Sequence, residues 1–420
     1  MLEGPGLDSE ELIANSGIRE VFTPHAPIND AKLFSGRSEE IAGIRAQINT
    51  PGQHSLLFGD RGGGKSSLAK IASQLGAARK NMKVITKSCV KSDSFREIVA
   101  PLLLELKIDL SVISVEESNS KERNLNAGIK YFGGSSARAS GNLKKREGFA
   151  AKADNPAWVA EQVGAANILF LIDEIDVIPS SEKVKVAELV KQLSDANSRL
   201  KLLIVGIAET AVELTNGHLS VQRVLREIRL KKMSDAEVSL LVRSGAEKAN
   251  IRFEDSSVEK IVALSSGYPH FAHLLALKAA EIVISQGEKE VLRRHKEEAS
   301  DDAAGDADGS LRGMYGAVVR SAKTDAYKKI LVAAAAVDAD EIKASSLRES
   351  MFKLWDEKVS QQWLNNFLRR IVGNDATTIL TRLGKGVYKF SDPRMKSYIR
   401  IVNFEYFSGG NEQVGERLAE

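Results

Sequence analysis

Between residues 31 and 231, short apolar runs alternate with longer stretches whose apolar positions recur every three or four residues. The runs Ser55–Phe58, Val84–Lys87, Ile168–Ile172 and Leu202–Ile207 predict strands. Their Leu and β-branched content without polar alternation is what strands covered on both faces require. Strand and helix alternating in this way predict an α/β domain with a parallel sheet. From 232 to 287 the pattern is helical only. The acidic stretch 297–310, EEASDDAAGDADGS, reads as a flexible boundary. Beyond it, Asp325–Val337, Ala344–Leu354 and Lys358–Val372 predict three helices, followed by strand, a Gly384-Lys385-Gly386 turn and strand. Residues 1–30, polar and carrying Pro24 and Pro27, read as an extended arm. The segment 113–155 is rich in Ser, Gly, Asn, Lys and Arg, and a loop of that length in a compact domain is functional or disordered.

The first strand runs into Gly59-Asp60-Arg61-Gly62-Gly63-Gly64-Lys65-Ser66, which satisfies G-x-x-x-x-G-K-[ST] between a strand and a helix. Gly59, Gly62, Gly63 and Gly64 let backbone N–H groups turn inward around phosphate oxygens, and the following helix adds its positive end. Lys65 supplies a flexible charge for the β/γ-phosphates, Ser66 a hydroxyl for Mg²⁺, and Ser67 completes the first turn. The partner element is Ile168–Ile172 followed by Asp173-Glu174-Ile175-Asp176. Charges directly after a buried strand must face a cation or solvent. Asp173 is placed to hold Mg²⁺ through its water shell, and Glu174 to polarise the water that attacks the γ-phosphate. No Asn-Lys-x-Asp guanine-reading element occurs, so ATP is favoured over GTP.

Composition narrows the picture only slightly. In 420 residues, 43% hydrophobic and 27% charged with nine prolines, the chain is globular and helix-rich rather than disordered. One cysteine, Cys89, excludes a disulfide framework and a Cys-based zinc site. No apolar run approaches the ~20 residues needed to cross a bilayer, and the acidic N-terminus has no apolar leader, so a cytoplasmic location without a membrane partner is expected. Net charge is only +3, but residues 320–400 carry sixteen Lys and Arg against nine Asp and Glu, leaving the rest of the chain at −4. A basic C-terminal third on a mildly acidic body is the asymmetry nucleic-acid binding produces; a solvated basic surface gives it too.

Within the third C-terminal helix, Val359, Trp363, Phe367 and Ile371 recur every four residues, with Leu364 and Leu368 widening the stripe. The opposite face presents Gln361, Gln362, Asn365, Asn366, Arg369 and Arg370. Amides read adenine edges and Arg reads guanine or phosphate, which makes this a candidate duplex-DNA face. Arg382, Lys385 and Lys389 give the hairpin a basic edge for a phosphate track.

Leu33-Phe34-Ser35-Gly36-Arg37-Ser38-Glu39-Glu40-Ile41, about 20 residues before the phosphate loop, resembles the GR-x-x-E box of origin-recognition/cell-division-cycle initiator ATPases and the related STAND signalling ATPases. With LIDEID, the later Gly267-Tyr268-Pro269-His270 and the C-terminal pattern, the resemblance to this AAA+ clade covers about 390 residues. It implies a P-loop NTPase sheet at 31–231, a helical lid at 232–296, an acidic linker at 297–312, a winged helix at 313–405 and a tail at 406–420. It also implies that Gly36 and Arg37 contact the base or form a helix-capping turn. His270 either touches the γ-phosphate or caps a helix. Arg223, with Arg226 as second choice, is the arginine that would reach a neighbouring subunit's nucleotide, so self-association is expected. Two positions depart from the clade. Glu209 or Thr210 stands where an amide is common after the fourth strand, and GYPH replaces the initiators' G-x-x-R, closer to the G-x-P of STAND proteins. Both departures favour slow, switch-like hydrolysis. The expectation is an ATP- and Mg²⁺-dependent switch that engages duplex DNA. The alternatives are a signalling or defence ATPase that contacts a protein partner and a nucleotide-binding scaffold that scarcely hydrolyses.

Overall fold

A computed structural model describes residues 7–28, 36–108, 152–207, 211–214, 219–320, 324–373 and 378–407. The chain divides into two compact units: a sheet unit of residues 37–59 and 65–230, and a helical unit of residues 1–36, 60–64 and 231–420.

The helical unit claims the start of the chain, α1 (Leu7–Asn15) and α2 (Ile18–Val21). The expected extended arm is therefore helical over most of its described length. Ile13, Ile18 and Phe22 are spaced to bury together, and Phe22 stacks edge-on against Phe253 and His273. A fully buried Phe is worth about 1.5–3 kcal/mol, enough to fix a short helix that propensity alone leaves marginal.

The sheet unit runs α3 (Ser38–Asn49), β1 (His54–Gly59), α4 (Lys65–Lys80), β2 (Lys83–Ser88), α5 (Phe95–Glu105), α6 (Pro156–Val163), β3 (Ile168–Asp173), α7 (Ser180–Asp195), β4 (Lys201–Gly206), α8 (Leu219–Val224) and β5 (Leu225–Leu230). All five strands are parallel, in the order β2-β3-β4-β1-β5. Alternation along the strands divides the core. Leu56, Phe170, Ile172, Leu202 and Ile204 pack with residues of α5, α6, α7 and α8. Leu57, Leu169, Leu171, Leu203 and Val205 are buried on the other side, where α3 and α4 lie against the sheet. β3 and β4 are buried at every position, as their apolar runs require. β2 is not, because it is an edge strand paired only with β3, and Lys83, Thr86 and Ser88 are not buried. Helix starts carry their own signals: Asn155 accepts from the N–H groups of Ala157 and Trp158 ahead of α6, and Ser94 with Glu97 forms a capping box at α5.

The remainder of the helical unit comprises α9 (Asp235–Lys248), β6 (Arg252–Phe253), α10 (Asp255–Ser265), α11 (Pro269–Ser285), β7 (Glu290–Val291), α12 (Lys296–Asp306), α13 (Gly309–Val319), α14 (Ala326–Ala336), β8 (Ile342–Lys343), α15 (Ala344–Trp355), α16 (Gln361–Ile371), β9 (Leu380–Gly384), β10 (Val387–Phe390) and α17 (Met395–Val402). β8, β10 and β9 form an antiparallel sheet in that order. The acidic segment expected to be a flexible linker is instead α12 and the start of α13. Ala299, Ala303, Ala307 and Leu311 repeat at four-residue spacing and are buried while the acids face outward. One continuous core therefore joins the segments read as lid and C-terminal domain. α16 starts at Gln361 because Ser360 caps it, accepting from the Trp363 N–H at 3.1 Å. Its deep line is Leu364, Leu368 and Ile371; Trp363 and Phe367 are only half-buried at its edge. Among the described residues, no helix is long and apolar enough to cross a membrane.

Candidate nucleotide site

In the sheet unit, β1 ends at Gly59 and α4 starts at Lys65. Gly59 has no room for a side chain: a Cβ there would lie 2.5 Å from the carbonyl oxygen of Leu230 on the adjacent strand. Lys65 Nζ donates to the Gly59 carbonyl at 3.0 Å, which fixes its charge at the base of the loop. Ser66 and Ser67 fill the first turn of α4, where N–H groups lack intrahelical partners and the helix end is positive. β4 lies between β1 and β3, and because the strands are parallel, Asp173 closes β3 on the edge where Gly59 closes β1. Asp173 is 3% exposed, and its Oδ1 accepts the Glu174 N–H at 2.9 Å. Its carbonyl accepts the Cys89 N–H. Glu174 is exposed and sits at φ 58°, a left-handed turn that costs a non-glycine residue about 1–2 kcal/mol. A buried carboxylate at a strand tip and a hydroxyl in a helix's first turn make an oxygen donor set that fits Mg²⁺. Cys89 is buried beside these acids and its thiol is pushed up to about 12 by burial, so it stays protonated and inert.

The tip of the loop, Asp60–Gly64, packs within the helical unit. Gly62 and Gly64 have φ of 73° and 88°, so both occupy the left-handed region that favours glycine. A Cβ on Gly62 would meet Arg394 Cδ at 2.9 Å, and one on Gly64 would touch Pro269 Cγ at 3.4 Å. The Tyr268 O–H donates to Asp60 Oδ2 at 3.2 Å. Arg394 is held in turn by Asp392 at 2.6 Å and Asp308 at 2.9 Å. Sequence reasoning missed Tyr268, Asp60 and Arg394. The GYPH element is visible in the sequence, but a search for charge singles out His270 rather than the tyrosine two positions before it.

His270 lies in the first turn of α11, and its Nδ1–H donates to the Pro24 carbonyl at 2.7 Å. That nitrogen is committed to the N-terminal segment, and burial lowers the ring's pKa. Gly36 and Arg37 both have positive φ and lead into α3. Arg37 is 5% exposed, stands at the N-cap position of α3 with no side-chain cap hydrogen bond, and pairs with Glu40 at 3.2 Å. Arg223 and Arg226 are exposed where α8 passes straight into β5. Glu209 and Thr210 lie outside the described residues, as does 113–155 apart from its last four positions.

Gln362, Asn365, Asn366, Arg369 and Arg370 are all exposed on α16, and Arg382 and Lys385 are exposed on the β9–β10 hairpin. Arg370 stacks over Tyr327 and Arg382 over Tyr388. The local excess of positive charge is smaller than the count indicates. Lys396 is buried against the carbonyls of Val337 and Asp338, and Arg400 donates to those of Ala335 and Ala263. Burial pulls Lys396 down to about 8.

The model of the family described as novel STAND NTPase 1 matches residues 25–377, and the chain belongs to that family. No curated protein matches it in sequence. Among solved structures it is similar to the Aeropyrum pernix ORC2 protein in ADPNP–ADP complexes, at 13% identity over 93% of this chain and 98% of that one, with a TM-score of 0.50. It is also similar to the Walker-type ATPase PABY2304 of Pyrococcus abyssi, at 18% identity over 90% and 99% of the two chains and a TM-score of 0.48. The Thermotoga maritima RuvB Holliday junction branch migration motor matches at 13% identity over 87% and 95%, with a TM-score of 0.44. The ORC2 likeness, at that identity, establishes a shared P-loop NTPase fold and nothing finer.

Proposed function

We propose that this STAND-type ATPase is a slowly cycling ATP switch that engages duplex DNA through its C-terminal segment. The observation that carries the nucleotide half is the pairing, on one edge of the sheet, of the Lys65-based loop at β1 with buried Asp173 at the end of β3. Lys65 leaves the Gly59 carbonyl to meet the β/γ-phosphates, and Ser66 and Asp173 are the residues that would hold Mg²⁺, whose charge would offset that of the phosphates. Exposed Glu174 takes a proton from the attacking water. Gly36 and Arg37 flank the base, and Arg223 serves a neighbouring copy's nucleotide in a self-assembled, cytoplasmic form.

For the DNA half, support comes from the order helix, strand, helix, helix, strand, strand over α14–β10, which is that of a winged helix, and from α16's wholly polar exposed face. A protein partner is the second reading. Family membership favours it, as does the use of Lys396 and Arg400 inside the fold.

The test is ATP turnover with and without a duplex, alongside salt-dependent duplex binding. Glu174→Gln should bind ATP and lose ~10²–10⁴ in turnover. Replacing Arg369, Arg370, Arg382 and Lys385 by Ala should weaken duplex binding and lower its salt slope by roughly one unit for each phosphate left without its cation. A wild-type protein that binds no duplex at low salt leaves the protein-partner reading standing.

A further inference from the structure

Tyr268 is fixed in place from three directions, all within the helical unit. Gly267 before it has φ 78°, and a Cβ there would sit 2.5 Å from the Met233 carbonyl oxygen. Pro269 after it occupies the first position of α11, where its ring presets the helical φ. The Tyr268 N–H donates to the Ser265 carbonyl, and its own carbonyl accepts from Phe271 and Ala272. The side chain is 1% exposed, with Lys232 Nζ 5.1 Å from the ring centre. A buried phenol needs a partner, and here it is Oδ2 of Asp60, the residue that follows Gly59 into the phosphate loop. Burial and the Asp60 carboxylate raise the tyrosine's pKa, so the O–H remains a donor at any working pH. Asp60 is itself a poor neighbour for a polyanion, because its carboxylate adds negative charge to a loop whose N–H groups face phosphate.

We propose that Tyr268 is a positioning residue for nucleotide binding: its O–H tethers the Asp60 carboxylate, holds the first half of the phosphate loop in its closed shape, and sets how fast nucleotide leaves. The proposal rests on the nucleotide reading above. It makes the GYP element a brake on exchange, independent of His270. Releasing a hydrogen bond to a charged group should speed dissociation ~10-fold or more, a factor equivalent to about 1.4 kcal/mol.

The experiment is stopped-flow release of N-methylanthraniloyl-ADP from the full chain. Tyr268→Phe and Asp60→Ala should each accelerate release by that factor, and the double variant should be no faster than either one. Asp60→Asn keeps an acceptor for the phenol, so its release should be slower than that of Asp60→Ala. Asp60 is exposed, so Asp60→Ala reports even if Tyr268→Phe fails to fold. Unchanged release in Asp60→Ala, or effects that multiply in the double variant, overturns the tether. Wild-type protein that binds no fluorescent nucleotide overturns the nucleotide reading itself, a separate result from normal binding with unaltered release.

Discussion

The two units differ in how far apart in sequence their decisive contacts lie. In the sheet unit, β3 is six consecutive residues that are all buried, and β4 repeats the pattern. A strand with helices on both faces needs an unbroken apolar run, so local composition and local structure say the same thing. In the helical unit, Phe22 packs against Gly245, Phe253 and His273, and the Tyr315 hydroxyl meets Asn403. No short window holds either contact. The lesson is that an acidic, Ala-rich window such as 297–310 is uninformative by itself: its alanines become a core stripe only because distant segments cover them.

Predictions that test this contrast begin at the nucleotide site. Lys65→Ala should reduce ATP affinity on the order of 100-fold, since it removes a charged donor to phosphate. Thermal stability without nucleotide should hardly change, because the bond from Lys65 Nζ to the Gly59 carbonyl stays within the loop's own base. Calorimetric titration alongside a melt checks both parts, and a large melt shift would mean that the sheet unit depends on its site for stability.

Acid should weaken both units through one buried histidine in each. His54 Nδ1 accepts the Leu202 N–H in the sheet unit, and His273 Nδ1 accepts the Thr23 N–H in the helical unit. Burial depresses their pKa values to about 3 and about 4. Each is neutral when folded and gains a proton near 6.5 when unfolded, so its stabilising contribution is complete above pH 6.5. It is lost as pH falls from there towards 4 for His273 and towards 3 for His54, at about 1.4 kcal/mol per unit. Hydrogen exchange at about pH 7 and about pH 5 should show the loss, and His54→Gln and His273→Gln should flatten it separately, each in its own unit. If either variant alters both units equally, they unfold as one and the comparison fails.

The most local effect belongs to Gly245→Ala. A Cβ there would lie 2.5 Å from the Phe22 ring, so about 1–3 kcal/mol should be lost from the helical unit by overpacking. The sheet unit's exchange protection should not move.

The phosphate loop, the Asp173-Glu174 pair, the parallel sheet and three C-terminal helices were legible because each depends on residues adjacent in the chain. Gly-Lys-Ser can open a helix after a strand, and an apolar run ending in carboxylates can close one, with no knowledge of the rest of the protein. The exposed polar face of α16 was legible for the same reason, since its period is local.

Tertiary structure decided the rest. It made Gly59 necessary through the distant Leu230 carbonyl, turned His270 towards Pro24, and placed Tyr268 on Asp60 from 208 positions away. It also withdrew Lys396 and Arg400 from a surface that charge counting had given them. The residue type alone determines what a side chain can donate, accept or bury. Which of several chemically equal partners it meets depends on how distant segments pack, and a linear pattern does not contain that choice.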